Sequence, residues 1–286
     1  MAVIPNTLRH AKRTLIALSL ALAGCRSGLP VASPTPDTVA LRLLADNATA
    51  PLLRELAGRY RTPNTLISWE IDEGERQTVL TWLREGRAPY ALITYPANPA
   101  ELETAGPGNT PLWATPIGQN GVALIVHPTN TIAELNPVEL RGLLTGKITN
   151  WAQLGGIDLP VTLIAREDGS ADAAIVQNIV LGRGRIDRRA RLATTGTAVI
   201  ELVSQIPGAV GFVSTGYLTD AVRPVPIEGV LPTPDNITKG LYPIRAPILF
   251  VGLAEPGDDA YRAFFAWAQS LTGQALVRER YGGLPQ

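Results

Sequence analysis

The amino-acid order predicts an α/β fold in which each sheet is mostly parallel and flanked by helices, and three stretches carry that expectation. At 160–181, Val161, Thr162, Leu163 and Ile164 read as a short buried strand, Arg166-Glu167-Asp168-Gly169 as a turn, and the following residues as a helix capped by Asp168 or Ser170. That helix carries Ile175, Val176, Ile179 and Val180 as one apolar stripe and stops at Gly182. A second strand-loop-helix runs from Val39–Leu44 through Ala45-Asp46-Asn47-Ala48-Thr49, where Thr49 is a candidate cap, into a helix with Pro51 in its first turn. Third, a strand at Leu66–Glu70, a helix at Glu75–Arg84 with Val79, Leu80 and Leu83 inward, and a strand at Tyr90–Thr94 continue the alternation.

A strand feeding a small-residue loop into a helix leaves backbone N–H groups and the positive end of the helix dipole facing the loop, and Arg166 stands beside them. Such a place suits an oxyanion. Two readings stay open on these residues alone, the other being a plain capped turn with Arg166 paired to Glu167 or Asp168 on the surface, and Thr49 a cap with no ligand role.

The amino terminus carries Arg9, Lys12 and Arg13 ahead of an apolar run from Leu15 to Ala23. That arrangement is of an export signal, and the run is too short for the roughly 20 residues that span a bilayer. Its ending, Leu22-Ala23-Gly24-Cys25, resembles the lipobox of bacterial lipoproteins, which implies cleavage before Cys25 and a lipid on its thiol. Cys25 is the only cysteine, so no disulfide framework exists and the fold must be held by burial. Loss of residues 1–24 removes three basic and no acidic residues, leaving 22 Lys and Arg against 25 Asp and Glu, a net charge of −3. This is no footprint for nucleic acid. Residues 25–37 are rich in Pro and Ser without periodicity and read as a tether.

Further along, Pro96–Pro111 reads as surface loop, Val122–His127 as a strand, and Asn136 with Glu139 as a boxed helix start ahead of Leu140, Leu143 and Leu144. Thr197–Ile206 reads as an amphipathic helix, Val210–Val213 as a strand, and 258–270 and 273–281 as terminal helices with Phe264, Phe265 and Leu271 inward. His127 is the only histidine outside the signal, which excludes a His-based metal cluster or Cys/His nucleophile and leaves it as a strand-end structural residue. No cofactor, metal site or catalytic residue is expected.

LRGLLTGKITNW at 140–151, followed by REDGS at 166–170, resembles the phosphate-binding proteins that serve bacterial ABC importers. The likeness continues in order through ALIVHPTN at 123–130, IPGAVGFVSTGYL at 206–218, GVLPTPDNITKGLYPIRAPILF at 229–250 and FFAWAQSLTGQALVRERYG at 264–282. It implies a two-lobed periplasmic-binding-protein fold of type II, with crossings near 113–126 and 242–252. Lobe one would be 38–115 plus 243–286, and lobe two 116–242. It implies an anion held between the lobes by Arg166, Gly169, Ser170, Ala48 and Thr49, with Asp172 as acceptor for a protonated oxyanion. The implied protein is a lipid-anchored extracytoplasmic monomer that is not an enzyme and that delivers phosphate or a similar oxyanion to a membrane permease.

Three positions depart from the family pattern. Ala171-Asp172 replaces Gly-Thr, Asp72-Glu73-Gly74-Glu75 replaces a loop of small residues, and Tyr95 stands where a hydroxyl or carboxylate belongs. An alternative therefore follows, in which the anion site is lost and Asp72, Glu73, Glu75 and Asp172 favour a cationic or amine-bearing solute, or a protein partner.

Overall fold

The computed structural model describes residues 37–95, 102–257 and 259–285; the signal, Cys25, most of the tether and part of the Pro96–Pro111 loop lie outside them. One sheet path runs through the molecule in the order β2-β1-β3-β9-β4-β7-β5-β6. Its first half is built from β1 (Asp37–Asp46), α1 (Ala50–Arg59), β2 (Thr65–Gly74), α2 (Arg76–Arg84) and β3 (Tyr90–Thr94). Two strands then join the halves, β4 (Trp113–Val126) and, much later in the chain, β9 (Arg245–Gly252). Between them lie α3 (Pro137–Leu144), β5 (Thr162–Arg166), α4 (Ala171–Val176), β6 (Arg191–Ala193), α5 (Gly196–Gln205), β7 (Ala209–Ser214), β8 (Arg223–Pro224) and α6 (Pro234–Thr238). Helices α7 (Ala260–Gln269) and α8 (Leu271–Arg280) return to the first half.

Strands within each half are parallel: β1 pairs β2 and β3, and β5 pairs β6 and β7. The joining strands supply the antiparallel ladders, β4 with β9 and β7, and β9 with β3. Side chains alternate across the sheet, so consecutive residues enter opposite cores. Leu43 and Leu92 pack with α1, α7 and α8, whereas Leu44 and Ile93 pack with Val79, Leu80 and Leu83 of α2. In the second half Leu124 joins the cluster around Trp151 and Tyr242, and Ile125 the cluster under α5. Each sheet face is thereby covered, as a parallel sheet requires.

Start and stop signals explain most elements. Asn136 accepts from Val138 and Glu139 amides while Glu139 reaches back to the Asn136 amide, closing the expected capping box, and Gly146 takes φ +69° after α3. Trp151 is fully buried and donates its indole N–H to Gly208 O at 3.0 Å, tying the LRGLLTGKITNW segment to the turn that precedes β7.

Two inward assignments are corrected. After Val176 the helix continues as a π-turn over Gln177–Leu181. The wider turn breaks the 3.6-residue phase, so Ile179 is 42 % exposed while Val180 remains buried. Leu271 is 86 % exposed because Ser270 caps and begins a new helix there, which turns the chain and places Leu271 on the outer first turn.

The joining strands carry the remaining detail that positions the site. Their register shifts between Pro116 and Gly118. There the carboxyl-terminal segment is laced on: Gln119 N donates to Gly282 O at 2.7 Å and Gly282 N to Gln119 O at 2.8 Å. A Cβ at Gly118 would collide with the Gly282 carbonyl, so glycine is what this approach needs.

Candidate functional site

Both halves end their central strands at one seam. In the first, β1 lies between β2 and β3, and the chain leaves β1 for α1 at the carboxyl end of the strands, where open α/β sheets present ligand sites. Asp46 closes β1 with its carboxylate buried. Its Oδ2 accepts the Thr94 amide at 2.6 Å and its Oδ1 the Thr49 amide at 2.9 Å. The Thr49 hydroxyl lies 2.8 Å from Leu92 O and 2.9 Å from Asp46 Oδ1. Burial pushes Asp46 up to about 7, against the hydrogen bonds from Thr94 and Thr49 that hold it down. The neutral form has a place for its proton, on Thr49 Oγ1, while the hydroxyl proton goes to Leu92 O.

The second half repeats the device. Asp172, in the first turn of α4, is buried, and its Oδ2 accepts the amide of Ser214, the last residue of β7, at 3.0 Å. Burial raises its pKa to about 6, with Arg166 pulling the other way.

Arg166 ends β5 with its side chain 1 % exposed. Its Nε donates to Ala193 O at 3.1 Å and its Nη2 to Thr194 O at 3.1 Å. Nη1 stands 3.9 Å from Asp172 Oδ2. Nη2 also reaches across the seam to Glu75 Oε1 at 2.8 Å, and Asn47 Nδ2 donates to that same oxygen at 2.7 Å. Arg166 thus pairs with Glu75 and Asp172 rather than with the neighbouring Glu167 or Asp168.

Other contacts close the ring. Ser214 Oγ lies 2.5 Å from Asn120 Oδ1 and 3.3 Å from Ala48 O, and Tyr281 Oη donates to Ala48 O at 3.0 Å. Tyr217 Oη donates to Asn47 O at 2.5 Å. The path Asn47, Ala48, Ser214, Asp172, Arg166, Glu75 and back to Asn47 is continuous.

Of the residues singled out from the sequence, Arg166, Asp172 and Ala48 stand on this ring. Thr49 is turned inward, and its hydroxyl makes no cap to α1. Ser170 is the cap of α4, accepting the Ala173 amide at 3.1 Å. Gly169, at φ +96°, lies on the wall of a cavity of about 510 Å³ between α2 and α4, shared with Arg76, Gln77, Ala173, Arg185 and Arg188.

Asp46, Asn47, Asn120, Ser214, Tyr217 and Tyr281 were not singled out. Asp46 and Ser214 had a signal: each is a polar residue directly after an apolar strand. Tyr281 had none, since its partner, Ala48, is in the turn after β1.

The acidic loop separates by partner. Asp72 pairs with Arg87 at 3.0 Å and Glu73 with Arg54, both on the first half, so only Glu75 and Asp172 face Arg166. His127 holds a local turn, its Nδ1 accepting the Thr129 amide at 3.2 Å. Among the described residues no cluster of His, Cys, Asp and Glu could hold a metal, and no helix is long and apolar enough to cross a membrane.

Two α/β halves joined by paired strands, with polar strand ends meeting around a buried guanidinium, define a binding protein of the periplasmic type. The PBP superfamily domain model matches residues 32–271, and the chain belongs to that superfamily, a family of substrate-binding proteins. Within it, the chain is 28 % identical over 72 % of its length to the phosphate-binding protein PstS of Bacillus subtilis, covering 67 % of that protein. The PstS of Borreliella burgdorferi is 24 % identical over 81 % of this chain and 85 % of its own. Among solved structures, a substrate-binding protein of the phosphate ABC-transporter type with bound phosphate, from Clostridium perfringens, superposes with TM-score 0.77 at 26 % identity, covering 87 % of this chain and all of that one.

Proposed function

We propose that this protein captures phosphate or a like oxyanion between its two lobes and delivers it to an ABC importer. The observation that carries the reading is Arg166: a guanidinium 1 % exposed, oriented by Ala193 and Thr194 carbonyls, with its remaining donors turned to the seam. A planar cation with several fixed donors matches an oxyanion better than any other solute class. The names of the relatives point the same way. In this reading Arg166, Gly169, Ser170 and the Ala48–Thr49 turn meet the ligand, Thr49 and Ser170 through their backbone because their hydroxyls are held by Leu92 O and by the cap of α4, with Asp172 as acceptor for a protonated oxyanion. Lobes 38–115 with 243–286, and 116–242, move about β4 and β9. The chain acts as a binding protein and not as an enzyme, held outside the cytoplasmic membrane by a lipid on Cys25. Titration calorimetry on residues 38–286 tests this: phosphate binds and Arg166→Ala abolishes the heat, whereas no binding by the unaltered protein at millimolar phosphate removes the assignment.

A second reading rests on the two carboxylates at Arg166, which together outweigh its charge and would suit a cationic solute. Asp72 and Glu73, paired elsewhere, lend it no support. Thermal-shift screening against amines and oxyanions separates the two.

A further inference from the structure

Glu75 precedes α2 in the position of its cap, yet its carboxylate accepts no hydrogen bond from its own helix. An acidic cap ordinarily accepts from the second or third amide of the helix. Here Oε1 is instead drawn to the two donors described above, one from each half of the molecule: Asn47 Nδ2 at 2.7 Å and Arg166 Nη2 at 2.8 Å. Its second oxygen, Oε2, is buried and has no hydrogen-bond partner. A carboxylate is itself a planar oxyanion, and this one occupies the guanidinium donor that the phosphate reading assigns to the ligand. The neighbouring carboxylate of the same loop, Glu73, pairs instead with Arg54 within its own half.

We propose that Glu75 is an internal occupant of the anion seat, latching the two lobes through Arg166 in the ligand-free protein and setting the affinity of the site by having to be displaced. This deepens the phosphate reading and rests on it for the ligand's identity. An entering oxyanion takes over Arg166 Nη2 and Asn47 Nδ2, and Glu75 swings back toward the amino-terminal turn of α2, where a negative charge is favoured by the helix dipole. The exchange is one anion for another at the same donors, so the net gain on binding is the difference between two charge-assisted contacts rather than the whole of one.

The test is Glu75→Gln, which keeps the shape and removes the charge, with Glu73→Gln as the control that removes a charge from the same loop without touching Arg166. Phosphate affinity by calorimetry is expected to tighten about tenfold or more in Glu75→Gln, the factor that one weakened competing charge contact represents, and to stay unchanged in Glu73→Gln. Equal or weaker binding by Glu75→Gln overturns the proposal, since a residue that accepts the ligand's own proton would behave so. If neither the unaltered protein nor Glu75→Gln binds phosphate, the phosphate reading fails and the latch is decided by the lobe-to-lobe distance without ligand, from spin labels on the two halves. A wider distribution in Glu75→Gln than in the unaltered protein keeps the latch; an identical one removes it.

Discussion

The phenol of Tyr281 donates to the carbonyl of Ala48 at 3.0 Å across 233 positions of sequence, so the end of α8 holds the turn that follows β1. Tyr281 is buried, and burial pushes its phenol far above the ordinary value, which keeps it a donor at any working pH. Tyr281→Phe removes one buried hydrogen bond and leaves the Ala48 carbonyl to Ser214 alone. A loss of about 1 kcal/mol in urea unfolding is expected, with weaker phosphate binding because the turn is less fixed. Unaltered affinity in a destabilised variant would separate the turn from the site.

Arg166 stands between two carboxylates, one of them fully buried. Arg166→Ala leaves Asp172 and Glu75 without their counter-charge, and a cost of about 3 kcal/mol or more is expected. Adding Asp172→Asn to that variant should recover part of the loss. A double-mutant cycle followed by denaturant unfolding measures the coupling, and strict additivity would show the pair to be energetically silent.

The pH dependence of stability follows from Asp172. Its pKa, raised by burial to about 6 in the folded protein, exceeds the unfolded value of 3.8, so the folded state holds the proton more tightly. The stability this group contributes is full below the unfolded value and is lost as pH rises through about 6. The melting temperature of Asp172→Asn relative to the unaltered protein should therefore climb between about pH 4 and pH 7. A difference that falls over that window would mean that the Arg166 charge outweighs burial.

Trp151 is the largest fully buried side chain of the second half. Trp151→Ala should cost about 3–5 kcal/mol through the void it leaves, plus the unmatched Gly208 carbonyl. Leu271→Ser, at a residue 86 % exposed, should change stability by less than about 0.5 kcal/mol. The pair, compared by thermal unfolding, tests whether the inward placement of Leu271 or its outward one is right.

The periodicities made the alternation of strands and helices legible, because Val79, Leu80 and Leu83, or Leu140, Leu143 and Leu144, repeat at the spacing their buried faces need. Capping residues fixed the start of α3 almost to the residue. What periodicity could not show was where a helix changes its turn, and so Ile179 was placed on the wrong side of the π-turn. The site divides the same way. Arg166 announced itself by its charge beside an apolar strand-turn-helix, and Asp172, like Glu75, as a departure from the family pattern. Glu75 was visible as a departure from pattern, but its pairing with Arg166 spans 91 positions and depends on how two lobes meet, which no local rule encodes. Asn47 and Ser214 act through short polar groups at strand ends, common in any α/β chain, and only the assembled sheet distinguishes them.

The bridge of Gln119 to Gly282 fastens the carboxyl-terminal segment onto the joining strands at one point, so β4 and β9 are not a pair of free cords there. Under the proposed lobe motion, torsion of β4 and β9 would have to carry that segment along or peel it away, so the stiffness of the joining strands would be shared with the carboxyl-terminal segment. Substituting Gly118, where any side chain would push the tail off, should loosen this clasp and, through Tyr281 next to Gly282, the hold on the Ala48 carbonyl as well.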